Sequence, residues 1–575
     1  MRGPSRNQGA SAAPAAGGHG VRRSRYYLGD AFVVEHGPGP REGPVSETGV
    51  ILMPPLGYED TCAYRPLRVL ADALAGEGHV VMRLDWPSLG DSAYDAFQVD
   101  LVTSGRAVVA AAAQSLRDRG ITRVAGIGVR GGGLIALGAS GLDELALVGV
   151  PASGKAFLRE ERAFHQTAAR AFGEEPDSAK PLPDGAVEAG GFVYGPSTVE
   201  SLRQVSPKAL VAAGNLHRVL VICREGLAAP TDLLESFERG GAEVSISAAQ
   251  GLGDMLENSY HSELSSEIRE AVRSWLGVHQ GRVELTAHRM PIRLDLEGGI
   301  TERTVVLHGD VGDLSGILCE PRGGATPGLA WTLFLNAGGI RRSGPNRLWT
   351  RAARSLAAKG TPSLRFDVRD VGDSDGTNVP HPDLEAMYSE SAIQDVVQAY
   401  DWARARGAGE IDVVGLCSGS FLGMQLAARR QIRRAVLFNG LAFVWNDDAR
   451  ASGVTSHIGA SLFDPRRWRR LLTGRISLVG VIRAIFSKTL LKAAAILARL
   501  RGRPQEDEVE ALVRVVVGRG TRLHLVSSEG DPSLPYLERH VAPEYRPPST
   551  TLPGVDHTIR PIWAHDRVVD LILGK

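Results

Sequence analysis

The sequence predicts an α/β protein with two tandem domains, each a mostly parallel sheet flanked by helices, the second with a long helical cap. Short apolar runs that suit buried strands alternate with helical segments such as residues 106–119 and 391–406. This alternation is typical of βαβ units, in which helices cover both faces of a parallel sheet. The pattern occurs twice in 575 residues, and two units of about 250 residues fit that length.

A repeated motif relates the two halves. The pattern R-x-D-x-x-x-x-G-D-S begins at Arg83 in the first half and at Arg365 in the second, 282 residues later (365 − 83). A strand–tight turn–helix pattern follows in both halves, and its glycines, Gly128 and Gly415, are 287 residues apart (415 − 128). A five-residue insertion between the two elements explains the change of offset. Self-similarity of this kind predicts one fold used twice.

The division between the halves falls near residue 280, where a helical pattern ends and a polar, strand-like stretch begins. We therefore predict a first domain at 25–280 and a second at 281–575, with its cap at about 441–519. Residues 1–24 are rich in Gly, Ala, Ser and Arg and predict a disordered N-terminal arm. The arm lacks the apolar stretch of a signal peptide.

Composition and charge exclude several classes of function. The 65 basic and 65 acidic residues balance, so nothing favours nucleic acid as a partner. Because the cysteines form no CxxC pair, we expect no zinc site and no disulfide framework. We also expect no cofactor. Since no 18-residue stretch is apolar and free of charge, we expect no integral membrane segment and a cytoplasmic location. The four cysteines are Cys62, Cys223, Cys319 and Cys417, and for the first three we expect buried, inert thiols.

The fourth cysteine stands in a glycine-flanked turn, Gly415-Leu-Cys417-Ser-Gly419. In a G-x-nucleophile-x-G turn, the nucleophile occupies a strained backbone position between a strand and a helix, and the glycines remove side chains that would clash. The N-terminus of the following helix lowers the pKa of a thiol placed there. Small residues also occur in such turns for packing alone, so the pattern requires partners elsewhere in the chain to indicate catalysis.

Candidate partners follow in the order nucleophile, acid, histidine. Asp531 comes after one predicted strand and His557 after the next, before a terminal helix. His557 is the natural base, and Asp531 is the acid that orients it. Glu529 competes for the acid role, whereas Asp556 is too near His557 in sequence to be preferred. The alternatives without catalysis are a solvent-exposed loop histidine and an ordinary turn carboxylate.

Backbone amides are expected to stabilise an oxyanion at this site. The N–H of Ser418 follows the nucleophile directly, and a second donor is expected from the loop after the early strand, with Ala337 and Gly338 as candidates. A tight turn without function is the alternative for that loop.

The sequence resembles α/β-hydrolases of the serine aminopeptidase-like (monoglyceride lipase-like) type over almost the whole chain. The motifs that carry the resemblance are R-F-D-x-x-D-x-G-D-S from Arg365, G-L-C-S-G around Cys417 and G-V-D-H ending at His557. That family usually has a serine nucleophile, and here Cys417 takes its place. Cysteine at this position is familiar from dienelactone hydrolases and polyester synthases, which implies that a Cys–His–Asp triad is feasible.

The first half provides a test, because each catalytic position has a counterpart there. Cys417 aligns with Arg130, Asp531 with Leu227 and His557 with Met255. Arginine stays protonated and cannot act as a nucleophile, leucine cannot orient a base, and methionine cannot take a proton. The first domain is therefore predicted to be catalytically empty, with nearby His261 and Asp232 as the alternative means of restoring a site. Arg130 could bind an anion or form a buried ion pair.

The cap contains a basic, partly apolar helical run at 476–501. A helix that covers the active site is its simplest interpretation. A site for a long acyl chain and a basic surface for an acyl carrier or membrane headgroups are alternatives.

We expect an enzyme that cleaves an ester or thioester, in a small molecule or on a carrier, through an acyl-enzyme. The alternatives are an acyltransferase with an alcohol, amine or thiol acceptor and a non-catalytic scaffold.

Overall fold

The computed structural model contains two nine-stranded sheets, one from each half of the chain, with helices on both faces. It describes residues 16–17, 20–39, 44–170, 181–206, 216–259, 261–277, 281–286, 290–309, 312–376, 384–446 and 507–575. The predicted α/β fold class is confirmed, with two separate sheet bodies. Most of the predicted cap, including the run at 476–501, lies outside the described residues.

The first sheet has six parallel strands followed by three antiparallel strands at one edge. Its strand order is β1-β2-β3-β6-β5-β7-β8-β11-β12, and β3 pairs antiparallel to β6. The strands of this half are β1 (Ala16–Gly17), β2 (Val21–Leu28), β3 (Ala31–Pro38), β4 (Val45–Ser46), β5 (Thr48–Met53), β6 (Val81–Leu84), β7 (Arg123–Val129), β8 (Glu144–Val148), β9 (Val187–Ala189), β10 (Phe192–Tyr194), β11 (Arg218–Arg224) and β12 (Glu243–Ala249).

The second sheet repeats this arrangement, with strand order β14-β15-β16-β18-β17-β19-β20-β21-β22. Its strands are β14 (Arg293–Leu296), β15 (Ile300–Leu307), β16 (Leu314–Pro321), β17 (Trp331–Phe334), β18 (Ser363–Phe366), β19 (Ile411–Leu416), β20 (Arg434–Phe438), β21 (Arg522–Ser528) and β22 (Ser549–Leu552). Before them, β13 (Arg282–Val283) pairs with β4 of the first half. The chain therefore remains attached to the first half at residue 283, just beyond the predicted division.

Fifteen α-helices connect the strands within the described ranges. They are α1 (Tyr58–Gly76), α2 (Leu101–Asp118), α3 (Gly131–Ala136), α4 (Gly154–Ala169), α5 (Pro196–Gln204), α6 (Thr231–Arg239), α7 (Leu252–Leu256), α8 (Ser266–Leu276), α9 (Leu348–Ala357), α10 (Leu384–Met387), α11 (Glu390–Ala405), α12 (Ser418–Arg429), α13 (Glu508–Gly518), α14 (Ser533–His540) and α15 (His565–Leu573). Among these helices, none is long and apolar enough to cross a membrane.

Local sequence explains where the connecting helices begin and which face they bury. Asp100 precedes α2 and its carboxylate accepts a hydrogen bond from the N–H of Val102, while Ser389 caps α11 in the same way. Such side chains pair backbone donors that the first helical turn leaves without partners. The inward face of α2 carries apolar residues such as Val109 and Leu116, which are fully buried against the first sheet.

The N-terminal residues differ from the prediction of a disordered arm through residue 24. Val21–Leu28 forms β2 and pairs with β3 along its whole length. Arg23 is buried there because its guanidinium forms ion pairs with Asp72 and Asp375. Basic composition alone suggested an exposed arm, but these distant carboxylates stabilise the strand. Residues 1–15 lie outside the described residues.

The two copies of the repeated motif form ion pairs with each other across the interface between the halves. Arg83 of the first copy forms an ion pair with Asp373 of the second, and Arg365 of the second copy forms one with Asp91 of the first. All four side chains are at most 3 % exposed. The Tyr64 hydroxyl also donates to Asp373, at 2.5 Å. Corresponding residues therefore make reciprocal contacts, as at a twofold interface.

We predict that Asp373→Asn destabilises the whole protein. The change leaves the buried Arg83 guanidinium without its carboxylate, and breaking a buried pair costs about 3–5 kcal/mol. Denaturant unfolding of the full chain measures the effect. The control is Asp566→Asn, whose carboxylate pairs with Arg351 at the surface and contributes less than about 1 kcal/mol. Equal unfolding midpoints for the two variants would contradict the prediction.

Candidate functional site

Cys417 occupies a sharp turn between β19 and α12. Its backbone has φ 56° and ψ −117°, a region that costs non-glycine residues about 1–3 kcal/mol. The flanking glycines allow the turn. A Cβ on Gly415 would lie 2.3 Å from the Gly419 carbonyl oxygen, and a Cβ on Gly419 would lie 2.6 Å from the Asn336 carbonyl oxygen. The glycine spacing noted in the sequence thus corresponds to real backbone contacts.

His557 and Asp531 lie beside this turn. The His557 Nδ1 lies 2.6 Å from Asp531 Oδ2, and a carboxylate can only accept, so Nδ1–H donates. The N–H of Ser533, in the first turn of α14, donates to the other Asp531 oxygen at 2.9 Å. Asp531 is thereby held from both sides, and the imidazole is held in one orientation.

The electrostatics couple Cys417 to the histidine. Burial opposes a charge on His557, but the negative charge of Cys417 and the hydrogen bond to Asp531 raise the pKa of His557 to about 10. Although burial disfavours the Asp531 carboxylate, the His557 hydrogen bond lowers its pKa below the usual range. The arrangement therefore favours the protonated form of His557.

The competing carboxylates are engaged elsewhere. Glu529 is exposed and accepts from the Gly554 N–H at 3.0 Å. Asp556 forms an ion pair with Arg560 at 2.7 Å. Of the candidates considered, Asp531 is the one that contacts His557.

The loop predicted to provide an oxyanion donor lies next to the turn. Ser418 is the first residue of α12, so its N–H has no partner within the helix. Ala337 to Ile340 form a tight turn closed by the Ile340 N–H and the Ala337 carbonyl at 3.1 Å. The Gly338 N–H donates to the Ser418 hydroxyl at 2.8 Å. The Gly338 N–H, a predicted oxyanion donor, is therefore already hydrogen-bonded to the Ser418 side chain.

Asn439 is a site-supporting residue that sequence reasoning missed. It follows β20 with φ 47°, and its amide donates to the His557 carbonyl at 2.7 Å and to the Ser528 hydroxyl at 2.9 Å. It therefore fixes the loop that carries the histidine. An asparagine followed by glycine directly after a buried strand was the available signal, because asparagine tolerates positive φ.

The second half of the chain is similar to a known protein family. Residues 305–571 match the model of the Alpha/beta hydrolase family. This match supports a hydrolase. The comparison with curated proteins gives no match.

Several solved structures are similar to about half of the chain. An alpha-beta serine hydrolase homologue from Coxiella burnetii is 11 % identical, covers 47 % of this chain and 96 % of its own, and has a TM-score of 0.29. A dienelactone hydrolase from Anabaena variabilis is 15 % identical, with 48 % and 95 % coverage and a TM-score of 0.30. A proline iminopeptidase from Mycobacterium smegmatis is 16 % identical, with 47 % and 98 % coverage and a TM-score of 0.31.

The first half has the same turn as the second half but a different residue on it. Arg130 has φ 49° and ψ −122°, close to the angles of Cys417. Its guanidinium forms ion pairs with Glu59 at 3.0 Å and with Glu160. Of the two alternatives for Arg130, the structure therefore contains the ion pair. A cavity of about 660 Å³ lies over this turn.

The other two aligned positions of the first half carry apolar side chains. Leu227 is exposed and Met255 is buried, and neither side chain can orient or accept a proton. Of the remaining cysteines, Cys62 and Cys319 are buried as expected, and burial raises the pKa of Cys62 to about 12. Cys223 is instead partly exposed and lines the first-half cavity.

We predict that Cys417 alkylation by a haloacetamide changes little with pH. Because the pKa of His557 is raised to about 10, its imidazolium persists below that pH and stabilises a thiolate beside it, so we expect less than about a threefold rate change from pH 6 to 9. In His557→Ala, the rate should fall about tenfold per pH unit below the ordinary thiol pKa of about 8.5. Peptide mass mapping separates Cys417 from Cys223. A wild-type profile matching that of His557→Ala would refute the ion pair.

We predict that Arg130→Ala leaves the chemistry of the second half intact. Stability should fall by about 1–3 kcal/mol because Glu59 and Glu160 lose their partner, while Cys417 alkylation and ester turnover stay within about twofold of wild type. Denaturant unfolding and the two rate assays measure these quantities, with Met255→Ala as the matched change at another aligned position. Lost turnover in a folded Arg130→Ala protein would contradict an empty first half.

Proposed function

We propose that the second half is an acyl-transfer enzyme that cleaves an ester or thioester through an acyl-enzyme on Cys417. The observation that carries the proposal is the arrangement of Cys417 on a strained turn, beside a histidine that Asp531 holds at 2.6 Å. A nucleophile, a base and a group that orients the base are the parts that covalent acyl transfer requires.

The proposed first step is acylation. The Cys417 thiolate attacks the carbonyl carbon of the substrate, and the carbonyl oxygen becomes an oxyanion. The Ser418 N–H and an amide of Ala337 or Gly338 donate to that oxyanion, with the Gly338 amide released from the Ser418 hydroxyl when it is the one used. As the tetrahedral intermediate collapses, the bond to the leaving group breaks, and the imidazolium of His557 gives its proton to the departing oxygen or sulfur.

The second step removes the acyl group. His557, now neutral, takes a proton from water while the water oxygen attacks the thioester carbonyl. The intermediate collapses to a free acid and the Cys417 thiolate, and the imidazolium is restored. An alcohol, amine or thiol that replaced water would make the enzyme an acyltransferase. Thioester substrates suit a cysteine because thiol-for-thiol exchange is nearly isoenergetic.

We further propose that the chain is divided into a non-catalytic domain at about 25–280 and a catalytic domain at about 281–575. The support is the matching strand order of the two sheets and the residues at the aligned positions of the first half. We also propose a cytoplasmic location, and contact of the basic cap with an acyl carrier or a membrane surface.

We predict an acyl adduct on Cys417 by intact mass after mixing with p-nitrophenyl esters or acyl thioesters. The adduct should be absent in Cys417→Ala, and its formation in His557→Ala should be about 10²–10⁴-fold slower. Cys223→Ala is the matched control and should behave like wild type. Release of free acid in water, against transfer to added alcohols, amines or thiols, distinguishes hydrolase from acyltransferase.

The same experiment can reject the enzyme. A native protein in which Cys417 is alkylated no faster than after unfolding, and which forms no adduct with any substrate of the panel, would favour a scaffold.

A further inference from the structure

The loop that carries the candidate oxyanion amides runs directly into the interface between the halves. After the tight turn at 337–340, Arg341 extends into the first half. Its guanidinium donates to both Asp85 oxygens, at 2.7 and 2.8 Å, and to Asp60 at 3.0 Å. In the sequence, only two residues stand between Gly338 and Arg341. The carboxylates of one half therefore hold a loop of the other.

This contact is buried and shaped to fit. Arg341, Asp85 and Asp60 are 4–6 % exposed, and the Arg341 guanidinium stacks on the Tyr64 ring at 4.0 Å. Gly90 has φ 52°, and a Cβ on it would lie 2.5 Å from an Arg341 nitrogen. One terminal nitrogen of Arg341 donates to both Asp85 oxygens and the other donates to Asp60, so two carboxylates fix the orientation of the guanidinium.

The second half holds the same loop from its own side. Asn336 donates to the Ile340 carbonyl at 3.0 Å and to Asp367 at 3.1 Å. The N–H of Arg342 donates to Asp367 at 2.6 Å. The loop is thus anchored by Asp367 within its own half and by Asp85 across the interface. These two aspartates are the corresponding residues of the repeated motif.

We propose that the first half, which has Arg130 at the position aligned with Cys417, positions the oxyanion loop of the second half through Asp85 and Arg341. Asp85 is a positioning residue, since it acts through Arg341 on the amides at 337–338. The proposal rests on the proposed function, because an oxyanion has to form for the position of those amides to affect a rate. The first half thereby contributes to the chemistry of the second half.

The test separates acylation from alkylation. Haloacetamide alkylation of Cys417 passes through no oxyanion, whereas acylation does. In Asp85→Asn and Arg341→Gln, we expect acyl-enzyme formation at least about tenfold slower, since loss of one full oxyanion donor costs about 10²–10³-fold. Alkylation should stay within about threefold of wild type, and Arg341→Lys should restore part of the acylation rate. The matched control is Asp375→Asn, which breaks another ion pair between the halves, that with Arg23, and should leave both rates unchanged.

Hydrogen exchange provides a readout that does not depend on turnover. Amides of the peptide spanning residues 336–342 should exchange about tenfold faster in Asp85→Asn than in wild type or in Asp375→Asn. Unchanged exchange, an unchanged acylation rate, or a parallel fall of acylation and alkylation would each overturn the positioning role. A wild-type protein that forms no acyl-enzyme would refute the proposed function instead. Exchange would then still decide whether Asp85 holds the loop.

Discussion

The structure depends on buried ion pairs between the two copies of R-x-D-x-x-x-x-G-D-S. Arg83 pairs with Asp373 and Arg365 with Asp91, so each half neutralises an arginine and an aspartate of the other. A buried ion without its partner costs several kcal/mol. Separating the two halves would break both of these ion pairs. The arrangement explains why the motif persists in a half that has Arg130 in place of Cys417.

The two halves separate what the fold requires from what the chemistry requires. Arg130 and Cys417 hold nearly the same strained backbone angles, so the sharp turn forms without a nucleophile on it. In the first half the side chain at that position is balanced by Glu59 and Glu160. In the second half it is balanced by His557. The backbone strain is therefore a property of the strand–helix connection, whereas function depends on which side chains that connection carries.

Sequence patterns predicted the parts of the structure that depend on local spacing. The glycines around Cys417 predicted a turn, and the order of Asp531 and His557 along the chain predicted that they follow neighbouring strands. Partner choice at long range was not predictable in this way. The repeated motif did not indicate that Arg83 pairs with Asp373 of the other half. The strand Val21–Leu28 was missed for the same reason, because distant carboxylates neutralise its Arg23.

Buried ion pairs also link the interface to the candidate site. Asp85 and Asp367 are the same residue of the repeat, yet Asp85 pairs with Arg341 and Asp367 with Arg342. The two arginines are adjacent and stand directly after the turn at 337–340. A displacement of one half against the other would therefore pull on the turn that carries the candidate oxyanion amides. Because acyl transfer is sensitive to the position of such donors, a tight, buried and reciprocal interface is what a site assembled next to it requires.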